Sequence, residues 1–391
     1  MQCHYFDTHQ CFSCTELDIP YPKQLSAKER HMRELAAGYP QIKWLEAVPS
    51  QQKNFRNKAK IVVSGTTYHP VLGIVDGGSG QGTDLSQCPL YEPALLKAMP
   101  VLKEFITRAQ LTPYHIKTRK GELKNILMTA SSSGELMVRC VLRSKKLIVP
   151  IKRSLPWLQE RLPQLRVFSV NLLREPIARV EGEEEIILSS AQTLAMRAND
   201  ITLHLRPQSF FQTNSSVAST LYRQGQEWVS ERNPASLWDL YCGVGGFAIH
   251  AAQVMSSDAR VTGIEISAEA IESAHRTVAD MGLNNTHFEA MDATAFALES
   301  QKRGFSLPEM LVVNPPRRGI GAVLCQWIEQ SGIDTVLYSS CNAKTLIKDL
   351  QKMPSYQPVQ GRVLDMFAHT QHYEVMVLLR RQDYSSESSS G

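Results

Sequence analysis

Two side chains late in this 391-residue chain could do covalent chemistry together. Cys341 stands in Leu337-Tyr338-Ser339-Ser340-Cys341-Asn342, just beyond an apolar, strand-like run. Residues past strand C-termini line the ligand crevice of an open α/β sheet, so a thiol there is a candidate nucleophile. A free thiol of pKa near ~8.5 is only about 3% thiolate at neutral pH, yet that minority is strongly nucleophilic. Glu374 closes His369-Thr370-Gln371-His372-Tyr373-Glu374 before the last apolar strand and is the candidate proton acceptor, with His369 and His372 as competitors. Thiolate addition to C6 of a pyrimidine turns C5 into an enolate carbon that can attack an electrophilic methyl group. The C5 proton then passes to the base, and elimination frees the thiol. A lone cysteine or glutamate is usually structural, so the case depends on what else reaches the same crevice.

Asp239-Leu240-Tyr241-Cys242-Gly243-Val244-Gly245-Gly246 joins a strand to a helix. Its glycines, Gly243 first, let a ligand approach the backbone, and the helix N-terminus offers free amides. A dinucleotide fingerprint wants a third glycine at position 248, where Ala stands, and that pattern accepts alanine. Glu265, ending the next strand, can accept both ribose hydroxyls of a nucleoside. Asp292, after a third strand, can meet an adenine amine, and Asp239 favours a cationic ligand over a pyrophosphate. The set favours S-adenosylmethionine over NAD. A fourth strand ends in Asn314-Pro315-Pro316, where the prolines fix the backbone and Asn314 can hydrogen-bond into the crevice. Methylases of exocyclic amines place an aromatic after such a turn to stack on the base. Arg317 stands there instead.

The first twenty residues are rich in Cys and His and short of aliphatics, so they cannot build a core unaided. Cys3, Cys11 and Cys14, with Cys88 further on, are candidate ligands for a metal or cluster that would supply the missing cross-link. Spacing alone fits zinc and iron–sulfur equally well, and the radical-type C-x3-C-x2-C pattern is absent. Net charge is +4, but the window 101–160 holds twelve Lys/Arg against four Asp/Glu, +8, which leaves −4 for the remainder. That asymmetry suits a polyanion-binding face. Phe55-Arg56-Asn57-Lys58-Ala59-Lys60 joins an aromatic to three cations, so Phe55, Arg56, Lys58 and Lys60 are the candidate RNA contacts. No apolar run approaches membrane-spanning length, and the first residues do not read as a secretory signal. A cytoplasmic protein is the expectation.

These residues need a frame. A charged helix is predicted at 22–37, with Ser26 as a possible N-cap and Gly38 as the stop. Residues 45–205 read as a β-rich central domain, with strands at 60–63, 71–75, 125–130, 136–142, 167–172 and 185–188. Helices are predicted at 93–109 and 156–161. From 206 to 382 strands and helices alternate, with strands at 237–241, 261–266, 310–314, 335–338 and 375–379 and helices at 247–254 and 268–280. That pattern predicts an α/β class, a Rossmann-like, doubly wound, mostly parallel sheet of the class I S-adenosylmethionine-dependent methyltransferase kind. Residues 1–44 form an N-terminal cysteine segment and helix, and the Ser-rich tail 383–391 is expected to be disordered.

With these motifs the chain resembles the RNA uracil-5-methyltransferases over nearly its whole length. The signatures are Ser209-Phe210-Phe211-Gln212-Thr213-Asn214, the glycine loop, Asn314-Pro315-Pro316-Arg317-Arg318-Gly319, Ser339-Ser340-Cys341-Asn342 and His372-Tyr373-Glu374. The resemblance implies that Gln212, Tyr241, Glu265 and Asn314 contact S-adenosylmethionine, with Cys341 the nucleophile and Glu374 the base. Family members often carry Asp where Asn314 stands. Members directed at tRNA lack the cysteine group, and one ribosomal type adds an N-terminal β-barrel for which there is no room before Cys3. The resemblance therefore implies the type that makes 5-methyluridine in 23S ribosomal RNA, at a uridine-747-type site. Its [4Fe-4S] cluster would be held by Cys3, Cys11, Cys14 and Cys88 in a structural or RNA-orienting role, and the central domain would bind RNA. The alternatives are the same reaction on another rRNA or a tRNA, or a non-catalytic RNA-binding factor. A monomer with no protein partner is expected.

Overall fold

The computed structural model describes residues 1–75, 82–177 and 179–382. The tail 383–391, expected to be disordered, lies outside the described residues. The chain opens with helices α1 (His4–Asp7) and α2 (Tyr21–Leu35) and a two-residue strand, β1 (Lys43–Trp44). α2 starts after Pro20, with a proline in its first turn where no N–H is needed, so Ser26 lies inside the helix instead of capping it.

Next come β2 (Lys58–Gly65), β3 (Pro70–Val75), β4 (Gly82–Asp84), α3 (Pro93–Arg108), β5 (Leu123–Ala130), β6 (Leu136–Leu142), α4 (Ile148–Arg161), β7 (Leu165–Leu172) and β8 (Glu184–Ile187). They form a seven-stranded sheet in the order β4-β3-β2-β5-β6-β7-β8. Only β6 and β7 run parallel, joined by the α4 crossover. α3 and α4 cover one face, where Leu95, Met99, Phe105 and Leu158 pack with Ile61, Ile126, Val138 and Phe168. α4 begins at Ile148, earlier than expected, because Pro156 sits inside it and not in its first turn.

The hairpin β9 (Leu194–Ala198) and β10 (Ile201–Leu205) leads into α5 (Ser215–Arg232), β11 (Ser236–Leu240), α6 (Gly246–Val254), β12 (Arg260–Glu265) and α7 (Ala268–Met281). Then follow β13 (Thr286–Ala290), α8 (Ala293–Lys302), β14 (Met310–Val313), α9 (Gly321–Ser331), β15 (Thr335–Ser340), α10 (Ala343–Leu350), β16 (Tyr356–Leu364) and β17 (Glu374–Arg381). The second sheet has eight strands, ordered β1-β16-β17-β15-β14-β11-β12-β13. β11 to β15 pair in parallel, and β17 inserts antiparallel between β15 and β16.

Successive residues of a strand face opposite sides, and a sheet covered on both sides must be apolar at nearly every position. Accordingly Leu237, Val312, Leu337 and Met376 point into one core with α5, α6 and α7. Trp238, Leu311, Val336 and Val377 point into the other, with α2, α8, α9 and α10. The hairpin β9–β10 shares the first of these cores, through Leu194, Met196, Ile201 and Leu203, so packing joins it to the eight-stranded unit although its sequence lies before 206. Among the described residues no helix is long and apolar enough to cross a membrane.

Candidate active site

Strand register brings the nucleophile and base candidates together. β15 and β17 are antiparallel, with Thr335 opposite Arg380 and Ser340 opposite Val375. One step further along the same register sets Cys341, just past β15, opposite Glu374, the first residue of β17. Directly opposed residues of an antiparallel pair have Cα atoms roughly 4.5–5.5 Å apart. The parallel strands alone could not do this; it requires β17 to run backwards beside β15.

A cavity of about 540 Å³ lies over the C-terminal ends of these strands. Gln212, Tyr241, Gly243, Glu265, Asp292, Asn314, Cys341 and Glu374 all line it. The glycine loop turns through left-handed backbone at Tyr241 (φ 70°), Gly243 (φ 56°) and Gly245 (φ 86°). At Gly246 a Cβ would lie 2.5 Å from the Tyr222 ring, so no larger residue fits. Glu265 accepts from the Gly243 and Ser267 amides (3.2 and 3.0 Å), which holds its carboxylate beside the loop. Asp292 caps α8 by accepting from the Ala295 amide (2.9 Å) while still facing the cavity. Asp239, expected to favour a cation, is buried under the loop, where one oxygen accepts from the Ala248 amide (3.0 Å) and the other has no partner. Burial lifts its pKa to about 8.

The seven-stranded unit helps to shape the cavity. Asn57 donates from its side chain to the Gln212 carbonyl (2.9 Å) and to Ser215 (2.8 Å), and from its backbone to the Thr213 carbonyl (2.9 Å). Asn214 caps α5 through the Val217 amide. Phe210 leans over the cavity and is 67% exposed, a large apolar surface left at the mouth.

Asn342 and Thr345 both donate to the Arg317 carbonyl (3.1 and 3.3 Å), tying the Asn-Pro-Pro-Arg turn to the cysteine turn. Gly319 (φ 81°) lies where a Cβ would strike the Asp349 carboxylate, which accepts from the Ile320 amide and from Tyr338 (both 2.9 Å). The Arg317 side chain thereby reaches the reacting pair. Burial pushes the Cys341 thiol up, the Glu374 charge adds to this, and the Arg317 guanidinium pulls it back. Burial lifts the Glu374 carboxyl to about 8, again opposed by Arg317, and its Oε2 has no partner. The sequence marked Arg317 only as a missing aromatic. Tyr222 and Phe247, also in the wall, carried no sequence signal.

A second cavity, of about 450 Å³, meets the first at Cys341 and Arg317. His31, Lys344, His372 and Tyr373 line it, which gives it a cationic and aromatic wall. Of the competing bases, His372 lies here, whereas His369 is 1% exposed and bonded to the Gln52 carbonyl and the Gln24 side chain, away from Cys341.

Cys3, Cys11, Cys14 and Cys88 come together around a cavity of about 150 Å³, beside Arg56, Lys60 and Tyr91. All four are free thiols, and burial raises Cys14 to about 12 and Cys88 above its ordinary value, with the charges of Cys3 and Cys11 adding to both. Among the described residues no three His, Cys, Asp or Glu side chains already stand in a metal-holding arrangement. Four thiols are donors of the kind a thiolate-held metal or cluster would use, and Arg56 and Lys60 stand beside them.

The RNA-facing reading of Phe55 is corrected. Phe55 is 6% exposed, packed with Cys14, Leu17, Leu90 and Ala368. Arg56 faces the cysteine cavity, and burial lowers Lys58 to about 8. Only Lys60 of the four is exposed. Part of the basic window is also internal: Arg139 pairs with Glu185 (2.6 Å) at 3% and 4% exposure. Lys103, Arg143 and Lys145 pair with Asp84, Glu122 and Glu184.

Residues 20–382 match the tRNA (uracil-5-)-methyltransferase family. The chain is 46% identical to the 23S rRNA (uracil(747)-C(5))-methyltransferase RlmC of Pectobacterium atrosepticum, over 97% of this chain and 100% of that protein. The protein of that name from Yersinia pseudotuberculosis is 46% identical over 97% of this chain and 99% of its own length. The solved Pyrococcus abyssi tRNA (uracil-54, C5)-methyltransferase in complex with S-adenosyl-L-homocysteine superposes with a TM-score of 0.77 at 25% identity, covering 94% of this chain and 84% of that one. The eight-stranded unit thus has the α/β fold of S-adenosylmethionine-dependent methyltransferases, and the chain belongs to the tRNA (uracil-5-)-methyltransferase family.

Proposed function

We propose that this protein methylates C5 of a uridine in 23S ribosomal RNA, at a 747-type site, using S-adenosylmethionine. The observation that carries the reading is the Cys341–Glu374 pair, opposed across β15 and β17 at the edge of a nucleoside-sized cavity. The choice of 23S RNA rests on the names of relatives similar over the full length of both chains.

Bound in that cavity, S-adenosylmethionine would supply an electrophilic methyl group. Glu265 is set to accept its ribose hydroxyls, Asp292 its adenine amine, and Gln212, Tyr241, Gly243 and Asn314 line the rest. The uridine is turned out of its stack and enters past the Lys344 and Arg317 cations and the His31 and His372 rings. Cys341 Sγ adds to C6, and the electron pair of the 5,6 double bond moves into an enolate on C4–O4. The Arg317 guanidinium favours the thiolate before addition. C5 takes the methyl group, for which the neutral thioether S-adenosylhomocysteine would be the leaving group; Glu374 removes the C5 proton, and the C6–S bond breaks to restore the double bond and free the Cys341 thiolate. A buried carboxyl of pKa about 8 is a strong enough base for that proton once ionised.

The four cysteines would hold a [4Fe-4S] cluster as thiolates, with Arg56 and Lys60 balancing its charge, and the cluster would brace the N-terminal segment. The setting is cytoplasmic, and the chain acts as a monomer on RNA. The test is methylation with labelled cofactor of 23S RNA and tRNA from cells lacking the methylase, followed by mapping of the base. Label in 5-methyluridine of 23S RNA alone is expected, and label confined to tRNA would overturn the substrate. Cys341→Ala should abolish transfer and keep cofactor binding; turnover at the wild-type rate would remove the covalent mechanism.

A further inference from the structure

The segment 365–373, which links β16 to Glu374, is held from outside the methyltransferase sheet. Tyr21, Gln24 and Lys28 recur at helical spacing on one face of α2, and that face meets the segment. Lys28 Nζ donates to Asp365 Oδ1 (2.7 Å) and to the Phe367 carbonyl (3.2 Å). The Lys28 and Asp365 side chains are 3% and 0% exposed, and a lysine so deeply buried is rare unless paired. Tyr21 donates to the other Asp365 oxygen (2.9 Å), and the Gln24 side chain accepts from the His369 amide (3.0 Å). His369 itself is left-handed (φ 65°), a conformation that persists in a non-glycine residue only when its surroundings impose it. Beyond Lys28, His31 meets the Tyr373 hydroxyl (2.8 Å), next to Glu374.

A buried ion pair adds little net stability over an apolar pair of the same size, whereas it does fix one arrangement of the groups it joins. The arrangement fixed here is the wall around the base. Phe367, whose carbonyl Lys28 holds, lines the cofactor cavity together with Glu374 and Cys341. We infer that Lys28, through Asp365 and Phe367, is a positioning residue for proton abstraction. It holds 365–373 so that the Glu374 carboxyl stays dry and aimed at the carbon next to the one Cys341 attacks. The inference rests on Glu374 being the base.

The test uses the full chain and 23S RNA transcribed with 5-tritiated uridine. Tritium release reports loss of the C5 proton, and a denaturing gel reports the protein–RNA adduct. Lys28→Met with Asp365→Leu replaces both charges, so neither is left buried alone. This variant should bind S-adenosylmethionine within about twofold of the wild type. It should release tritium about tenfold or more slowly, part of the 10²–10⁴ that a general base supplies. Adduct should accumulate meanwhile, and Lys28→Arg should recover part of the rate. Wild-type tritium release, or a fall in adduct parallel to a fall in cofactor binding, would overturn the positioning role. Should the double variant not fold, Lys28→Arg carries the test alone: slowed release with adduct accumulation supports the role, and wild-type release overturns it. Glu374→Gln run in parallel separates the two ideas. If it accumulates no adduct, the base assignment fails; if it does and the Lys28 variants do not, only the positioning role fails.

Discussion

Replacing Glu374 by glutamine is a stability experiment as much as a catalytic one. The carboxyl is 3% exposed with one oxygen unpartnered, and burial lifts its pKa from 4.5 to about 8. Between those two values the folded protein keeps the proton while the unfolded chain releases it. The stability tied to this group is therefore fully present below about pH 4.5 and is lost as the pH rises through about 8. Each pH unit in the steep part of that window costs about 1.4 kcal/mol. Integrated from about pH 5 to about pH 8, the loss is roughly 3–4 kcal/mol, a large part of a typical folding free energy. Glutamine has no proton to give up. The Glu374→Gln protein should thus gain on the wild type by that amount over the same range, while turnover disappears. Other buried acids, Asp239 among them, titrate alike in both proteins and cancel in the difference. Urea unfolding of the two proteins at several pH values in this window measures it. A stability difference that stays constant with pH would refute the argument, because Glu374 would then not be held protonated in the free protein.

The methyl-transfer rate should rise with pH toward about 8, since Cys341 and Glu374 both act deprotonated and burial raises both; a kcat/KM profile flat from about pH 6 to 8 contradicts this. Gly246→Ala drives a methyl group into the Tyr222 ring, and such overpacking, about 1–3 kcal/mol, should weaken cofactor binding roughly tenfold to hundredfold by calorimetry. Unchanged affinity would show that the loop shifts freely. Purified without oxygen, the protein should be brown with about four irons, and Cys88→Ala should lose them. A colourless zinc protein refutes the cluster.

The parallel strands were legible because burial on both faces makes them runs of apolar residues, as in Met310–Val313 and Val336-Leu337-Tyr338. The glycine loop and the turns after the strands were legible for the same reason, since they punctuate those runs. β16 was not. Its Gln357, Gln360 and Arg362 interrupt the apolar pattern, and a register shift lies between Pro358 and Gln360. Without β16 the sequence could put Cys341 and Glu374 at strand ends but could not say that the two strands oppose. Phe55 misled because an aromatic among cations looks solvated until Cys14, Leu17, Leu90 and Ala368, distant in sequence, are known to pack on it. Lys28 is a buried polar residue whose partners lie more than 300 positions away, and Gln24 reaches as far to the His369 amide, beyond any local pattern.

The eight-stranded sheet joins the two ends of the chain, since β1 pairs with β16 and α2 packs against residues just before β17. Contacts of such sequence separation form late, because the intervening loop entropy is lost before they repay it. On the ribosome β11 to β15 can pair while the last strands are still unmade, which leaves β15 as a bare edge of the kind that recruits other chains. A chain cut short before β17 would carry Cys341 with no carboxylate opposite it and an apolar edge open to aggregation. Synthesis to about residue 381 is what turns a thiol on an unfinished sheet into a reactive pair.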